Sequence, residues 1–234
     1  MEIDIKHACS FTGHRPERLE MSEDKVIAWL EEQIRKAVDD GYTDFISGMQ
    51  RGVDIWAAEI VLKLRLEGKK IHLISACAWN GMERDWEPEW RTRYTKILMG
   101  SDKKVYVSMK PGRAAFFERN HWMVDNSSRL IGVYTGAPGG TKETVWYAKN
   151  KGLEVITILD DIATSLEHDL DGKFPNHSPF RCVKILTKAS VLVINVLDST
   201  YQGYTCEFST NTEYDKVLAD FIDIFDETYQ YDDI

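Results

Sequence analysis

The feature that most constrains the fold is an alternation of short apolar segments with longer amphipathic ones along the first 160 residues. The apolar segments are too short for buried helices and are bounded by glycine, serine or threonine, which is typical of strands. Strands that alternate with helices predict a parallel sheet with helices on both of its faces and right-handed connections. The predicted strands cover 8–12, 43–46, 71–74, 104–107, 129–134 and 154–158.

The intervening segments carry apolar residues at helical spacing. In the first of them, Val26, Leu30 and Ile34 lie on one face, and Gly41 follows as a stop signal. A second helix is predicted from about Gly52 to Glu67, and further helices at 114–125 and 141–151. Residues 77–100 are predicted to be largely irregular, with a helix near 87–99.

Small hydroxyl residues and glycines follow the predicted strands repeatedly. Thr12-Gly13, Ser47-Gly48 and Thr135-Gly136 are three such exits. Open parallel sheets bind ligands beyond the carboxyl ends of their strands, so these exits are candidate site positions. Loops favour the same residues for conformational reasons alone, so no single exit is diagnostic.

Two glycine turns share one design. SGMQRGVD (47–54) and GAPGGT (136–141) each lead from a strand into a helix. Glycine permits close approach of a ligand, and the unpaired N–H groups at a helix start favour a phosphate. Neither turn matches a P-loop or a strict GxGxxG pattern, and steric need for glycine explains each turn equally well.

The last third of the chain differs in character. Residues 160–180 are predicted to be a linker, and 181–234 a small C-terminal extension with a hairpin (191–197 and 204–208) and a helix. This segment has too few apolar residues to form a good core by itself. We therefore expect the extension to pack on the preceding domain or on a second subunit. Residues 211–234 hold eight acidic side chains and one lysine.

Composition excludes several classes of protein. The formal net charge of −9 argues against nucleic-acid binding. The four cysteines form no CxxC pair, so we expect reduced thiols and no zinc site. No apolar run is long enough to span a bilayer, and the first residues do not have the pattern of a secretory signal. We therefore expect a cytoplasmic protein with no membrane partner.

Three motifs, in this order, resemble the YpsA-like branch of the SLOG superfamily. They are FTGHRP (11–16), ISGMQRGVDIWAAE (46–59) and NHWMVDNSSRLIGVYTGAPGGTKETVWYA (120–148). The resemblance covers about residues 5–159 and implies a Rossmann-like domain at 1–159. It also implies a pocket for a nucleotide or nucleotide sugar over the strand exits, and no resident cofactor.

The resemblance identifies candidate ligand-binding residues. Arg15 would hold a phosphate and His14 would form a hydrogen bond, although a solvated loop histidine is the alternative. Asp54 would contact the ligand or bond the backbone of its own turn. Trp56 is expected in the core, and Trp86 and Trp90 as an aromatic lid. The implied set is Gly13, His14, Arg15, Ser47, Gly48, Arg51, Gly52, Asp54, Arg119, Asn120, Gly136, Gly139, Gly140 and Thr141.

The family resemblance leaves catalysis open. The related phosphoribohydrolases resemble P-G-G-x-G-T-x-x-E with a catalytic glutamate, whereas this chain has Thr144 three residues after Thr141. Glu143 lies one residue earlier, which turns it by roughly 100° on a helix. Asp54 and Glu59 are the other candidate carboxylates. We therefore expect a binding, sensing or sequestering protein, with nucleotide N-glycosidase activity as the alternative and DprA-like single-stranded DNA binding as a weaker one.

The resemblance also suggests a biological setting. SLOG domains in bacterial antiphage systems are thought to sense NAD-derived signals such as cyclic ADP-riboses. It therefore implies an ADP-ribose-like ligand and a role in phage defence or counter-defence. Apart from the resemblance, the C-terminal extension can pack on a second subunit, and we expect a homo-oligomer.

Overall fold

The computed structural model describes residues 1–229, in two compact units. Residues 230–234, the end of the acidic segment, lie outside the described residues. The first unit comprises 1–19 and 23–157, and the second comprises 20–22 and 158 onward. No helix among residues 1–229 is both long and apolar enough to cross a bilayer.

The first unit is an α/β sandwich around a six-stranded parallel sheet. Its strands are β1 (Ala8–Gly13), β2 (Asp44–Ser47), β3 (His72–Cys77), β4 (Lys103–Tyr106), β5 (Arg129–Val133) and β6 (Glu154–Thr157). Its helices are α1 (Glu23–Asp39), α2 (Val53–Leu66), α3 (Pro88–Gly100), α4 (Arg113–Asp125) and α5 (Gly140–Lys151). This confirms the predicted Rossmann-like fold class, and each predicted strand is present within a few residues.

The strand order β4-β3-β2-β1-β5-β6 places a topological switch point between β1 and β5. From β1 the chain winds outward through β2, β3 and β4, and then returns to the other side of β1 to build β5 and β6. Ser10 of β1 is paired with Ile46 of β2 on one side and with Leu130 of β5 on the other. Open α/β sheets bind their ligands at such a point, because the loops leaving the two central strands diverge there.

The core of this unit lies along the central strands. β2 and β5 are buried at every position, and Phe11 stacks on Phe45 with ring centroids 6.2 Å apart. Their central apolar residues are bounded by turn residues in the sequence, which is why the strands could be predicted. Trp56 on α2 is 2% exposed, so the prediction that it belongs to the core is confirmed.

The second unit joins a three-stranded antiparallel sheet to two helices. They are α6 (Ile158–Lys173), β7 (Arg181–Lys188), β8 (Val191–Leu197), β9 (Gly203–Ser209) and α7 (Tyr214–Tyr229), with strand order β7-β8-β9. The predicted hairpin corresponds to β8 and β9, and the predicted helix to α7. Phe225 packs against Phe180 at 4.8 Å and against Tyr204 at 4.2 Å between ring centroids.

The first helix of this unit corrects the prediction of a linker at 160–180. Most of that segment is helix α6, with Leu166 and Leu170 buried one turn apart, and its Asp160 and Asp161 lie in the first turn, where the helix dipole favours them. Strand β7 follows and was not predicted, because an irregularity between Cys182 and Lys184 breaks its two-residue alternation. With α6 and β7 added, the unit encloses the aromatic core that a hairpin and one helix could not.

Candidate functional site

A cavity of about 670 Å³ opens in the first unit at the carboxyl ends of its strands. Its walls come from the loops after β1 and β5, which flank the switch point, and from the loop after β2, Trp79 after β3, and helix α4. Of the predicted site residues, the cavity is lined by Gly13, His14, Arg15, Asp54, Arg119, Asn120, Gly139, Gly140 and Thr141.

Arginines dominate the charge of this cavity. Arg15 and Arg18 come from the β1 exit, and Arg113 and Arg119 from α4, whereas Asp54 is the sole carboxylate among the lining residues. The chain as a whole has a formal net charge of −9, so the charge of the cavity is opposite in sign to that of the whole chain. Guanidinium groups bind phosphate and carboxylate groups with paired hydrogen bonds, so the cavity is suited to an anion.

The start of α5 forms one wall of the cavity. Gly139 has φ of +146°, a backbone conformation in which any residue with a side chain is strained. The nearest atom to a Cβ added at Gly139 would be Arg18 Nη1, at 3.8 Å. A Cβ added at Gly140 would lie 4.0 Å from Asn120 Nδ2. The two glycines therefore leave open space beside an arginine, an amide and the unpaired N–H groups of the first helical turn.

His14 and Thr141 meet across the cavity floor. The His14 side chain is buried, and its Nδ1 lies 3.4 Å from the Thr141 hydroxyl. The alternative of a solvated loop histidine is therefore wrong. This contact joins the β1 exit directly to the first turn of α5.

A buried polar network supports the cavity from α4. Arg119 donates through Nη1 to the Gly48 carbonyl and through Nε to Asn120 Oδ1 at 2.9 Å. Its Nη1 also lies 3.5 Å from Asp54 Oδ2. Asn120 Nδ2 in turn donates to the Thr144 hydroxyl at 2.8 Å, which links α4 to α5.

Burial shifts the pKa of both members of the ion pair. It raises the pKa of the Asp54 carboxyl, and the neighbouring Arg119 guanidinium offsets part of that rise. It lowers the pKa of Arg119, with Asp54 acting in the opposite direction. Asp54 also accepts a hydrogen bond from the Gln50 N–H at 3.2 Å, so of its two predicted roles the bond to its own turn is present.

The remaining predicted residues of the β2 exit do not line the cavity but shape the loop. Ser47 donates to the Asp54 carbonyl at 2.8 Å. A Cβ at Gly48 would lie 2.3 Å from Arg119 Nη1, and one at Gly52, where φ is +88°, would lie 2.9 Å from the His14 carbonyl oxygen. Only glycine fits at Gly52, where the obstacle is backbone and φ is positive, whereas the obstacle at Gly48 is the end of a flexible side chain.

Arg51 and Gly136 also lie outside the cavity lining. Arg51 pairs with Glu17 at 3.0 Å and with Glu87 at 2.9 Å. Gly136 has φ of +84° in the turn after β5, a conformation that explains the glycine without a ligand.

Two of the three candidate catalytic carboxylates do not line the cavity and are bonded to other side chains. Glu143 accepts from His121 Nε2 at 2.5 Å, and Glu59 pairs with Arg93 at 2.6 Å. Thr144 occupies the inward position on α5 and donates to the Gly140 carbonyl at 2.8 Å. Asp54 is the one candidate that lines the cavity.

The aromatic residues of the cavity differ from those that the sequence suggested. Trp86 packs on Tyr94 and Trp90 on Trp56, and neither lines the cavity. The aromatic side chains that line the cavity are Phe11, Trp79, Phe116 and Phe117. Arg113, Phe116, Phe117 and Asn120 recur at intervals of three and four along α4, and this spacing could have marked the helix face.

Among residues 1–229, no group of three or more His, Cys, Asp or Glu side chains is arranged to hold a metal ion. The cavity offers guanidinium, amide, hydroxyl and aromatic groups with one carboxylate. This donor set suits an organic anion better than a metal ion.

Comparisons with known proteins agree with the motifs. The model of the YspA SLOG family (YpsA) matches residues 9–156. A UPF0398 protein from Lysinibacillus sphaericus is 24% identical over 151 residues, covering 61% of this chain and 84% of the relative. A second UPF0398 protein, from Halalkalibacterium halodurans, is 28% identical over 145 residues, covering 61% and 75%.

Two solved structures of DNA processing protein A are similar in fold. The Streptococcus pneumoniae protein matches with a TM-score of 0.48 at 17% identity, over 72% of this chain and 58% of that one. The Helicobacter pylori protein, whose single-stranded DNA binding mode has been described, matches with a TM-score of 0.44 at 16% identity, over 64% of each chain. This chain thus spans less than two thirds of either. The family match covers more than half of the chain, which therefore belongs to the YpsA family of SLOG proteins.

Proposed function

We propose that the protein binds a nucleotide or an ADP-ribose-like ligand in this cavity and holds it without chemical conversion. The observation that carries the proposal is the charge of the cavity, where Arg15, Arg18, Arg113 and Arg119 face a single carboxylate, Asp54. A ligand with phosphate groups supplies the matching charge. A cavity of about 670 Å³ is of the size that small-molecule ligands occupy.

The phosphate is proposed to lie at the start of α5. Gly139 and Gly140 leave room for it, and the first N–H groups of the helix are free to donate. Arg18 and Asn120 lie beside those glycines and add two side-chain donors. The sugar would then extend toward the β2 exit, where Gln50 and Asp54 line the cavity.

Isothermal titration calorimetry with ADP-ribose, cyclic ADP-ribose and AMP tests this proposal in matched variants. Gly140→Asp and Gly140→Asn have nearly the same size, both suit a helix start, and they differ by one negative charge. We expect Gly140→Asp to bind at least about tenfold more weakly than Gly140→Asn, because the added carboxylate repels a phosphate at this position and about 1.4 kcal/mol of repulsion corresponds to a tenfold change in affinity. Absence of binding to the parent protein, or equal binding by the two variants, would overturn the proposal.

One observation favours N-glycosidase activity as a second candidate. Asp54 is a cavity carboxyl whose pKa burial raises, and such groups serve as catalytic acids in enzymes. Its engagement with Arg119 and with the Gln50 N–H favours a structural role instead. We therefore expect parent and Asp54→Asn proteins to release equal, background amounts of base from AMP by chromatography. Release by the parent that Asp54→Asn abolishes would establish the enzyme.

A further inference from the structure

Helix α4 presents an aromatic face to the cavity. Arg113, Phe116, Phe117 and Asn120 are spaced by three or four residues, so they share one side of the helix, and all four line the cavity. Trp79, after β3, packs edge-on against Phe116 with ring centroids 5.0 Å apart and an interplanar angle of 65°. Trp79, Phe116 and Phe117 form what we call the ring wall.

The two phenylalanines of the ring wall lie in the N-terminal half of α4, and the buried core residues Met123 and Val124 lie two turns further along the same helix. Phe116 and Phe117 are only half-buried, and both line the cavity. Half-exposed rings that line a cavity mark a surface that a ligand can cover.

The neighbours of the ring wall indicate what kind of group covers it. The Arg113 guanidinium lies over Phe117 at 5.9 Å and that of Arg119 lies over Phe116 at 5.8 Å. Each of the two rings thus lies beside a cation, so a flat group that covers the rings also meets positive charge.

We propose that the ring wall is a base-stacking subsite, so that the ligand carries an aromatic base and a bare sugar phosphate is a poor substitute. This inference rests on the proposed function, since it assigns the far end of the same ligand. The phosphate end lies at Gly139 and Gly140, and the base end lies at Phe116 and Phe117. Stacking on an aromatic side chain contributes about 1–3 kcal/mol per base.

Calorimetric titration of ADP-ribose and of ribose 5-phosphate into three proteins tests the inference. The proteins are the parent, Phe117→Leu, and Trp146→Leu, which removes an exposed ring of α5 that does not line the cavity. Phe117→Leu is expected to weaken ADP-ribose binding about tenfold and to leave ribose 5-phosphate binding unchanged. Trp146→Leu is expected to leave both unchanged, and the parent is expected to prefer ADP-ribose.

The two hypotheses fail in different ways. If the parent binds both compounds equally, or if Phe117→Leu weakens neither or both to the same extent, the ring wall is not a base subsite, although the anion site stands. If the parent binds neither compound, the proposed function itself is wrong and the inference falls with it. Circular dichroism and the melting temperature of Phe117→Leu separate a loss of stacking from a loss of fold.

Discussion

At the scale of single residues, Arg119 determines the shape of the cavity. The residue is 4% exposed. Its contacts with Gly48 and Asp54 connect the loop after β2 to α4. A buried guanidinium is tolerated only when its hydrogen bonds and its charge are matched. Because its Nη1 donates to the Gly48 carbonyl, a side chain at position 48 would have to displace this guanidinium.

The ion pair leads to a prediction about stability. Arg119→Met leaves the Asp54 carboxylate buried without its cation, and we expect a loss of about 3 kcal/mol in the free energy of unfolding at pH 7. Burial raises the pKa of Asp54 in the folded protein. An acid with a raised pKa destabilises the fold increasingly as pH rises above its unfolded value. The loss should therefore be smaller at pH 4 than at pH 7, because lowering the pH moves Asp54 toward its protonated form.

Urea unfolding at the two pH values measures this effect. The matched control is Arg93→Met, which removes the half-exposed partner of Glu59 and should cost about 1 kcal/mol or less at both pH values. An equal loss at pH 7 and pH 4 for Arg119→Met would show that packing, and not the unpaired charge, causes it.

At the scale of elements, the parallel strands and most helices were predictable, whereas β7 and α6 were not. Strands such as β2 and β5 are buried at every position, and a short apolar segment bounded by turn residues identifies them. In β7 an irregularity after Cys182 disrupts the alternation, and in α6 an acidic first turn resembles a linker. Tertiary contacts, not local pattern, stabilise those two elements.

The same distinction applies to the candidate site. The glycines at 139 and 140 and the FTGHR segment are local features of strand exits, and they were found in the sequence. The ring wall depends on which side of α4 faces the cavity. Phe116 and Phe117 look like core residues in a sequence, and only the packing of α4 shows that they line the cavity.

The turn between β8 and β9 gives a prediction for the second unit. Asp198 Oδ1 accepts from the Thr200 N–H at 2.8 Å and from the Gln202 N–H at 3.0 Å, and Oδ2 accepts from the Tyr204 hydroxyl at 3.2 Å. Burial alone would raise the pKa of Asp198, but these hydrogen bonds outweigh it, so the pKa lies below its usual value. The carboxylate therefore stabilises the unit above the unfolded pKa of an aspartate, and this contribution is lost as pH falls through the lowered value.

We expect Asp198→Asn to lower the free energy of unfolding by about 1 kcal/mol at pH 7 and by less at pH 3. Denaturation monitored by near-ultraviolet circular dichroism measures both values. Asp223→Asn, which neutralises an exposed carboxylate on α7, should have little effect at either pH. A loss for Asp198→Asn that grows toward acid pH would contradict the assigned direction of the pKa shift.

At the scale of the whole molecule, the distribution of charge is the main functional clue. The chain carries a formal charge of −9, yet four arginines and one aspartate line the cavity. A polymeric anion such as DNA would meet the net negative charge, whereas a small anion needs only the cavity. The account therefore centres on a small phosphate-bearing ligand held at the start of α5.

Hydrogen–deuterium exchange with and without saturating ADP-ribose tests this central claim most directly. The N–H groups of Gly140, Thr141 and Lys142 are in the first turn of α5, where they have no helical acceptor and exchange quickly unless a ligand accepts from them. The account predicts that ADP-ribose slows exchange in peptides that cover 139–143 and 12–18. Calorimetric binding of ADP-ribose with unchanged exchange in both segments would contradict it.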